Sequence, residues 1–486
     1  MSMVEEGNGS REVLKMSQKC PGKQESEQVS RRQFLFNAGQ GAGAIALAGL
    51  REETGESAFR NPHFQPRAKN VIWLFMHGGP SHVDLFDPKP ELIRYSGQPV
   101  PDSFGEVMTR RDVGKNPLLA PVKPFYPRGE SGLEISDFLP RISECADDLC
   151  VIRSMHGDSV NHPQSVYQMN TGTTLMGNPS VGSWLAYGLG SENSNMPAFV
   201  VLPDPGGGLK GGPPAWGNGY LPASYQGVTM RPGKTPILDL QTPAGITVEQ
   251  QERNISLLRL LNHQFFNDSE RDDELGARIE AYELAFRMQM EAPGIVSLDQ
   301  ESQHTQQLYG LENPQTVEFG RRCLLARRLV EQGVRIVQVY SGDTGGWDAH
   351  RNVLDNHGKY CRRTDAPVAG LLKDLRQRGL LDHTLVIWGG EFGRMPMSEQ
   401  GKGRDHNPWG YSCWMAGAGI KGGRAIGATD PIGLRAMENK VHVRDFHATI
   451  LHLLGIDYRR LSFRHNGLEK RLTGPDRGRV VREMLI

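Results

Sequence analysis

The chain has 486 residues, in which 55 Lys and Arg balance 55 Asp and Glu, and 38% of the residues are hydrophobic. This length accommodates one large α/β domain or two small ones. The balanced charge excludes a global basic field that would hold nucleic acid, so we expect no nucleic-acid partner. The 58 Gly and 31 Pro residues predict many long loops.

The first 50 residues have the pattern of an export signal. Arg31 and Arg32 precede a weakly apolar run over residues 38–50, which is typical of twin-arginine signals. The run is too short for a stable membrane span. The pattern predicts the twin-arginine translocase as a partner and a periplasmic or secreted location, although a retained amphipathic anchor also fits it.

The rest of the chain divides by composition into a linker, one domain and a tail. We interpret residues 51–68 as the linker, residues 69–470 as a single domain, and residues 471–486 as the C-terminal tail. Five cysteines follow the signal without CxxC spacing, which excludes a zinc ribbon and a dense disulfide framework. Cys145 and Cys150 are close enough in sequence to pair, but we interpret all five as buried thiols.

Short apolar runs alternate with helical patterns along the domain. This alternation predicts a three-layer α/β sandwich, in which a mostly parallel sheet has helices on both faces. A polar helical stretch over residues 248–290 predicts an outer helical pair. The predicted strands are residues 70–76, 149–153, 198–202, 334–340, 384–388 and 413–417, and the other predicted helices are residues 316–332, 368–378 and 444–454.

Imidazole, carboxylate and guanidinium groups gather where predicted strands end or begin. In parallel sheets the functional site lies at the carboxyl ends of the strands, and a metal centre needs N and O ligands that converge from different elements. We therefore expect one site there. Its candidate metal ligands are His77, Asp348, His350, Glu391, Asp405 and His406, and its candidate catalytic residues are His162 and Arg394.

Mixed imidazole and carboxylate ligands favour Zn or Mn, as one or two ions, over Ca. Asp405 either orients His406 or ligates with it. Arg394 either clamps an anionic oxygen of the substrate or braces its own loop. Ser81 is either a nucleophile or part of a turn.

A Gly- and Pro-rich segment over residues 203–243 is too long to be a plain connector. It is compatible with a lid or wall on the substrate side, or with a surface loop that its aromatic residues hold in place.

The order of these motifs resembles the alkaline phosphatase and sulfatase superfamily, and most closely its secreted bacterial family called domain of unknown function 1501. The resemblance spans about residues 68–460. The motifs that carry it are Arg31-Arg32, His77-Gly-Gly-Pro-Ser81-His82-Val-Asp84, Gly345-Gly-Trp-Asp348-Ala-His350, Gly390-Glu391-Phe-Gly-Arg394, Asp405-His406-Asn407 and Asp445-Phe-His-Ala-Thr449.

The resemblance implies an alkaline phosphatase-like fold and a metal site to which Asp348, His350 and His406 contribute. The chain departs from the superfamily pattern at the first strand, which ends in His77 instead of Asp, and at Phe392, which stands where a His is expected. The stretch from His162 to Ser165 replaces the sulfatase Cys-x-Pro-Ser-Arg motif, so no cysteine is placed to become formylglycine.

These observations together predict an exported metal-dependent hydrolase of sulfate or phosphate esters, acting on a small-molecule or polysaccharide ester. His162 would serve as a ligand, a general acid or a covalent nucleophile. The alternative is a non-catalytic binding or structural protein on a degenerate sulfatase-like frame. The two differ in whether the site holds an ion with an open coordination position.

Overall fold

The computed structural model describes residues 61–486, except residues 106, 234, 238–244, 269–272 and 476–477. The predicted export signal over residues 1–50 lies outside the described residues, as does the linker as far as residue 60. The remaining linker residues pack on the domain, because the backbone N–H groups of Arg67 and Ala68 both donate to the carbonyl of Leu453.

The strands follow one another along most of the domain. In chain order they are β1 (Asn70–Met76), β2 (Phe125–Arg128), β3 (Leu133–Ser136), β4 (Cys150–His156), β5 (Phe199–Leu202), β6 (Val228–Thr229), β7 (Ile336–Ser341), β8 (Thr384–Gly389), β9 (Gly393–Arg394), β10 (His406–Asn407), β11 (Tyr411–Ala416), β12 (Arg424–Ile426), β13 (Ala428–Thr429), β14 (Ala436–Glu438), β15 (Val441–His442), β16 (Phe463–His465) and β17 (Leu468–Lys470).

Helices occupy most of the intervals between the longer strands. They are α1 (His82–Leu85), α2 (Pro90–Arg94), α3 (His162–Thr171), α4 (Val181–Leu189), α5 (Val248–Asp268), α6 (Asp273–Val296), α7 (Gln303–Leu308), α8 (Val317–Glu331), α9 (Val353–Gln377) and α10 (Val443–Leu453). Short 3-10 helices lie at Asp102–Phe104, Ile142–Asp148, Pro213–Trp216, Ala223–Tyr225, Leu298–Gln300 and Arg482–Met484.

The central sheet has the strand order β12-β4-β11-β8-β1-β7-β5-β6, with β15 also paired to β4. Within this described sheet β11 runs antiparallel to both of its neighbours, and the other strands run parallel to β1. The carboxyl ends of β1, β7 and β8 are therefore adjacent, and the loops that follow them start from one edge.

Both faces of the sheet are buried, which is why β1 is a continuous apolar run. Leu74 lies in the core between the sheet and helices α8 and α9, whereas Trp73 lies in the core on the other face with helices α3, α4 and α10. The predicted three-layer α/β sandwich with a mostly parallel sheet is confirmed.

Each predicted strand is present, and β1 has the predicted bounds. The outer helical pair predicted over residues 248–290 is present as α5 and α6. Helix α9 begins at Val353 rather than at the predicted residue 368, and it continues through Pro367. The predicted helix began directly after this proline, a residue that normally disrupts a helix interior.

The Gly- and Pro-rich segment is held on the domain by its aromatic residues, at least over residues 203–233. The ring of Trp216 lies 5.6 Å from that of Tyr340, and the ring of Tyr220 lies 6.2 Å from that of Trp184. The same segment carries Lys210 into the candidate site described below, so it is also a wall of that site.

Residues 478–486 pack against the domain core, where Val481 and Met484 are buried. The five cysteines after the signal are free and buried, as predicted. Burial raises the pKa of the Cys323 thiol to about 12. Among the helices that the structure describes, none has both the length and the apolarity needed to cross a bilayer.

The core position of Leu74 generates a stability prediction. Leu74 is fully buried, so Leu74→Ala leaves a cavity and should lower the free energy of unfolding by about 3 kcal/mol. The matched control is Leu257→Ala on helix α5, where the side chain is 56% exposed. This substitution should alter the free energy of unfolding by no more than about 0.5 kcal/mol. Chemical denaturation measures both, and equal effects would contradict this assignment of the core.

Candidate metal centre

Loops from several parallel strands bring the predicted site residues to one place. His77 follows β1, His162 begins α3 after β4, and Asp348 follows β7. The β9–β10 hairpin places Arg394 directly opposite His406. The loops that follow β1 and β7 approach so closely that a Cβ atom on Gly78, at φ +108°, would lie 2.5 Å from the backbone nitrogen of Trp347, which explains the glycine at this position.

The carboxylate of Asp348 lies at the centre of three imidazoles. Its Oδ1 atom is 2.9 Å from Nε2 of His350 and 3.1 Å from Nε2 of His406, and its Oδ2 atom is 3.0 Å from Nε2 of His162. The Nε2 atoms of His162 and His350 are buried and are not aligned for a hydrogen bond with any acceptor among the described residues.

The opposite nitrogen of each ring faces an acceptor. Nδ1 of His162 lies 2.6 Å from Oε1 of Glu391, and Nδ1 of His350 lies 2.5 Å from Oε2 of Glu399. Nδ1 of His406 lies 2.6 Å from the carbonyl oxygen of Val160. Metal-ligating histidines typically donate this second N–H to a carboxylate or a carbonyl, which fixes the tautomer and the ring orientation.

The tautomer of His406 tests whether a cation fits here. A carbonyl oxygen only accepts hydrogen bonds, so Nδ1 of His406 carries a proton. Burial holds the pKa of His406 well below 6.5, which keeps the ring neutral and leaves a lone pair on Nε2. That lone pair faces the Asp348 carboxylate at 3.1 Å, and a cation held between these two electron-rich atoms would relieve their repulsion.

The donor set and its spacing also fit metal ligation. Two ligands bound at the usual zinc distances to one tetrahedral ion lie about 3.3 Å apart, close to the 2.9–3.1 Å between the imidazole nitrogens and the Asp348 carboxylate. Candidate ligand groups, whose donor atoms lie within 4.8 Å of one another, comprise His162, Asp348 and His406; His350, Asp405 and His406; and His77, His162 and Glu391.

Asp348 is ionised despite its burial. Burial alone would raise its pKa, but the Arg394 guanidinium beside it holds the pKa of this carboxyl well below its usual range. The ammonium group of Lys210 lies 2.7 Å from the Oδ2 atom. The site therefore holds a carboxylate charge that is stabilised by cations on two sides.

Arg394 is fully buried and is occupied by the protein. Its Nε donates to the carbonyl of Gly79 at 2.9 Å, and its Nη1 donates to the carbonyl of Arg404 at 3.2 Å. Its Nη2 donates to the carbonyl of Gly78 and to Oδ1 of Asp348. Four of the five N–H groups that a guanidinium offers thus form hydrogen bonds within the protein. This favours the interpretation that Arg394 braces its loop over the interpretation that it clamps an anionic oxygen of the substrate.

Glu391 and His77 form the inner wall of the site. Both carboxylate oxygens of Glu391 accept from the backbone N–H of Gly78, at 2.9 and 3.1 Å. Burial would raise the pKa of Glu391, but the hydrogen bond from His162 and the nearby His77 hold it below its usual value. Nε2 of His77 accepts from the backbone N–H of Lys210 at 3.2 Å, so His77 anchors the Gly-rich wall.

Asp405 lies beside His406 without orienting its ring, because the carbonyl of Val160 occupies that position. The Oδ2 atom of Asp405 accepts from the backbone N–H of Arg111 at 2.8 Å, and its Oδ1 atom is buried without a hydrogen-bond partner among the described residues. Ser81 is buried, and its hydroxyl donates to Oδ2 of Asp84 at 2.5 Å, which occupies it as part of the turn.

Two residues of the site had not been predicted. Lys210 stands in the glycine-rich run of residues 206–212, and a cation within that run was a signal that the sequence offered. Glu399 carries no local signal, since its contact with His350 depends on how the β9–β10 hairpin folds back.

The fold and the site define a class: an α/β protein with a buried histidine and carboxylate cluster at the carboxyl edge of its sheet. The sequence matches, over residues 68–485, the model of the family described as "Protein of unknown function (DUF1501)". The chain belongs to this family, as its motifs predicted. A comparison with curated protein sequences finds no match.

Solved structures of the alkaline phosphatase and sulfatase superfamily are similar to the chain. The sulfatase PsFucS1 from Pseudoalteromonas sp. is 13% identical, with a TM-score of 0.33, and the match covers 86% of this chain and 71% of that one. A protein of the alkaline phosphatase superfamily from Vibrio parahaemolyticus is 10% identical, with a TM-score of 0.35 and coverages of 82% and 69%. The phosphonate monoester hydrolase SpPMH from Silicibacter pomeroyi is 12% identical, with a TM-score of 0.32 and a coverage of 71% of each chain.

Metal content tests the cluster directly. We expect about one equivalent of a zinc-type ion in the folded protein, and its loss in His406→Ala and in Asp348→Ala, because each change removes one candidate ligand. The matched control is His383→Gln, which removes an exposed imidazole and should leave the metal content unchanged. Elemental analysis after metal loading measures this, and a metal-free wild type would contradict the assignment.

Glu399 generates a finer prediction about ligand orientation. Glu399→Gln keeps the size of the side chain but removes the charge that holds Nδ1 of His350. We expect the dissociation constant of the metal to rise by about 10-fold to 100-fold, as measured by competition with a chelator, while circular dichroism shows an unchanged fold. An unchanged metal affinity would mean that His350 is not a ligand.

Proposed function

We propose that the protein is a metal-dependent hydrolase of sulfate or phosphate esters, with one zinc-type ion held by His162, Asp348, His350 and His406. The observation that carries the proposal is the convergence of three imidazole Nε2 atoms on one carboxylate, with every Nδ1 atom held by an acceptor. When bound, the ion would polarise the ester oxygen and lower the pKa of a water molecule towards neutrality.

The contacts of His162 favour one ion over two. Its Nδ1 atom lies 2.6 Å from Glu391 and its Nε2 atom faces Asp348. A proton on Nδ1 prevents this nitrogen from ligating a second ion beside Glu391 and His77. We therefore assign Glu391 to orienting His162, and we assign His162 to metal ligation rather than to nucleophilic attack.

Water is the nucleophile that this arrangement favours. The hydroxyl groups offered by the two nearby loops are engaged elsewhere, since Ser81 donates to Asp84 and Ser165 donates to the carbonyl of Ser159. The side chain of Asp348 is 12% exposed, so solvent reaches part of this carboxylate. A water molecule and an ester oxygen would both approach the ion beside it.

Lys210 is the cation that we assign to the anionic oxygens of the ester. Its ammonium group has three N–H donors, and among the described residues the structure gives it one acceptor, Oδ2 of Asp348. Its side chain is 28% exposed, whereas Arg394 is fully buried. Lys210 thus replaces Arg394 as the proposed oxyanion-binding group, and Arg394 positions Asp348.

The burial of the cluster also favours a second candidate, a binding or structural protein. His162 and His406 are nearly inaccessible to solvent, and four protein ligands in a closed shell would be a structural site. The two candidates differ in whether the metal-loaded protein hydrolyses an ester.

The proposed location is periplasmic or secreted, through the twin-arginine route. The support is the Arg31-Arg32 pattern in the sequence. Export of a folded, metal-loaded protein by this route agrees with a metal centre that is built from loops scattered along the whole domain.

The Lys210→Met variant tests the proposed chemistry. We expect hydrolysis of aryl sulfate or aryl phosphate by the wild type, and a KM that rises about tenfold or more in the variant, because a charged hydrogen bond to the substrate is lost. The metal content should stay unchanged. The matched control is Lys421→Met, which changes an exposed lysine at the opposite edge of the sheet.

A metal-loaded wild type that hydrolyses none of the esters would contradict the hydrolase proposal and favour the second candidate, a binding or structural protein. Activity that survives in Asp348→Asn would place the reaction elsewhere on the protein.

A further inference from the structure

Exposed cations lie on chain segments that contact His350, Glu399 and Asp405. We call Arg110, Arg111, Arg351 and Lys402 the basic rim, and all four are exposed. Because the whole chain carries no net charge at neutral pH, a local group of cations is a property of this surface rather than of the composition.

Hydrogen bonds tie the basic rim to the residues of the centre. The backbone N–H of Arg111 donates to Oδ2 of Asp405 at 2.8 Å, and its guanidinium pairs with Glu399 at 3.1 Å. Glu399 in turn holds His350. One part of the rim is therefore two contacts away from a proposed metal ligand.

Arg351 and Lys402 lie on two neighbouring backbone segments. Arg351 directly follows His350 in the sequence, and a Cβ atom on Gly403 would collide with the carbonyl of His350. The backbone N–H of Val353 donates to the carbonyl of Lys402 at 2.9 Å. These contacts bring the two segments that carry the cations together beside His350.

Most of this positive charge is not neutralised by the protein. Arg111 pairs with Glu399, but Arg110, Arg351 and Lys402 form no ion pair within the part of the chain that the structure describes. Exposed carboxylates in the same loops are Asp112 and Asp355, and Asp355 already accepts from the side chain of Asn352 at the start of helix α9. Lys210 adds a further cation inside the centre.

We propose that the basic rim binds the chain of a sulfated polysaccharide, so that the substrate of the centre is one sulfate ester within a polyanion. This inference rests on the proposed hydrolase function. Neighbouring sulfate groups of such a chain would lie against Arg110, Arg351 and Lys402 while one ester enters beside Lys210. The rim would raise the local concentration of substrate and would select polymers over isolated esters.

Nucleic acid fits this surface less well. Duplex DNA carries one charge about every 1.7 Å, and proteins that hold it commonly neutralise about 6–10 phosphates. The rim offers fewer cations than that. A polysaccharide whose charges are more widely spaced matches the number of cations better.

The experiment compares two double variants of the full-length, metal-loaded protein. The rim double is Arg351→Gln with Lys402→Gln, and the control double is Lys69→Gln with Lys421→Gln, which removes the same charge from exposed lysines at the opposite edge of the sheet. Calorimetry measures binding of dextran sulfate, neutral dextran and single-stranded DNA. Hydrolysis of an aryl sulfate and sulfate release from the polymer are measured in parallel.

We expect the rim double to bind dextran sulfate on the order of tenfold more weakly than the wild type, with a smaller dependence of affinity on salt concentration. The ratio of kcat/KM for the polymer to kcat/KM for the aryl sulfate should fall in the rim double and stay constant in the control double. A charge-preserving variant, Arg351→Lys with Lys402→Arg, should restore binding and thereby separate charge from folding.

Equal losses in the rim and control doubles would overturn the inference, and so would wild-type binding of DNA that is as tight as that of dextran sulfate. Rim-dependent binding in a protein that hydrolyses no ester would support the binding surface and reject only the proposed catalysis. Ester hydrolysis with no rim-dependent binding would reject the rim and leave the hydrolase proposal standing.

Discussion

The buried carboxylate of Asp348 is the charge on which the rest of the site depends. An ionised carboxylate in this position needs compensation, and it receives it from Arg394 and from Lys210 on opposite sides. Three imidazoles complete its surroundings. These groups come from four separate segments of the chain, so the site forms only when the sheet has aligned the carboxyl ends of its strands.

Two buried arginines fix those loops to one another, and neither is free to bind a ligand. Arg394 joins the β9–β10 hairpin to the carbonyls after β1 and to Asp348. Arg404 joins the same hairpin to Asp84 through Nε at 2.8 Å, and both of these side chains are fully buried. Such pairs gain little net stability because of their desolvation cost; here they hold two loops in one arrangement, which a metal centre requires.

The cations that remain accessible lie further out. Lys210 reaches the centre from the Gly-rich wall, and the basic rim lies beyond Glu399. Charge is thus arranged in layers, with carboxylates and imidazoles inside, buried arginines around them, and exposed cations at the mouth. An anionic ester would meet attractive charge before it reaches the centre, which increases its rate of approach.

The sequence by itself determined the sheet, its layers and the family, because apolar runs and their helical intervals depend on local periodicity. It also determined which imidazoles and carboxylates gather, since they stand where strands end. The tertiary structure decided their roles. The guanidinium of Arg394 donates to the backbone carbonyls of Gly79 and Arg404, and Glu399 reaches Nδ1 of His350 because the β9–β10 hairpin folds back. Lys210 entered from a segment with no strand pattern. These contacts join residues far apart in the chain, and local pattern carries no information about which side chains meet.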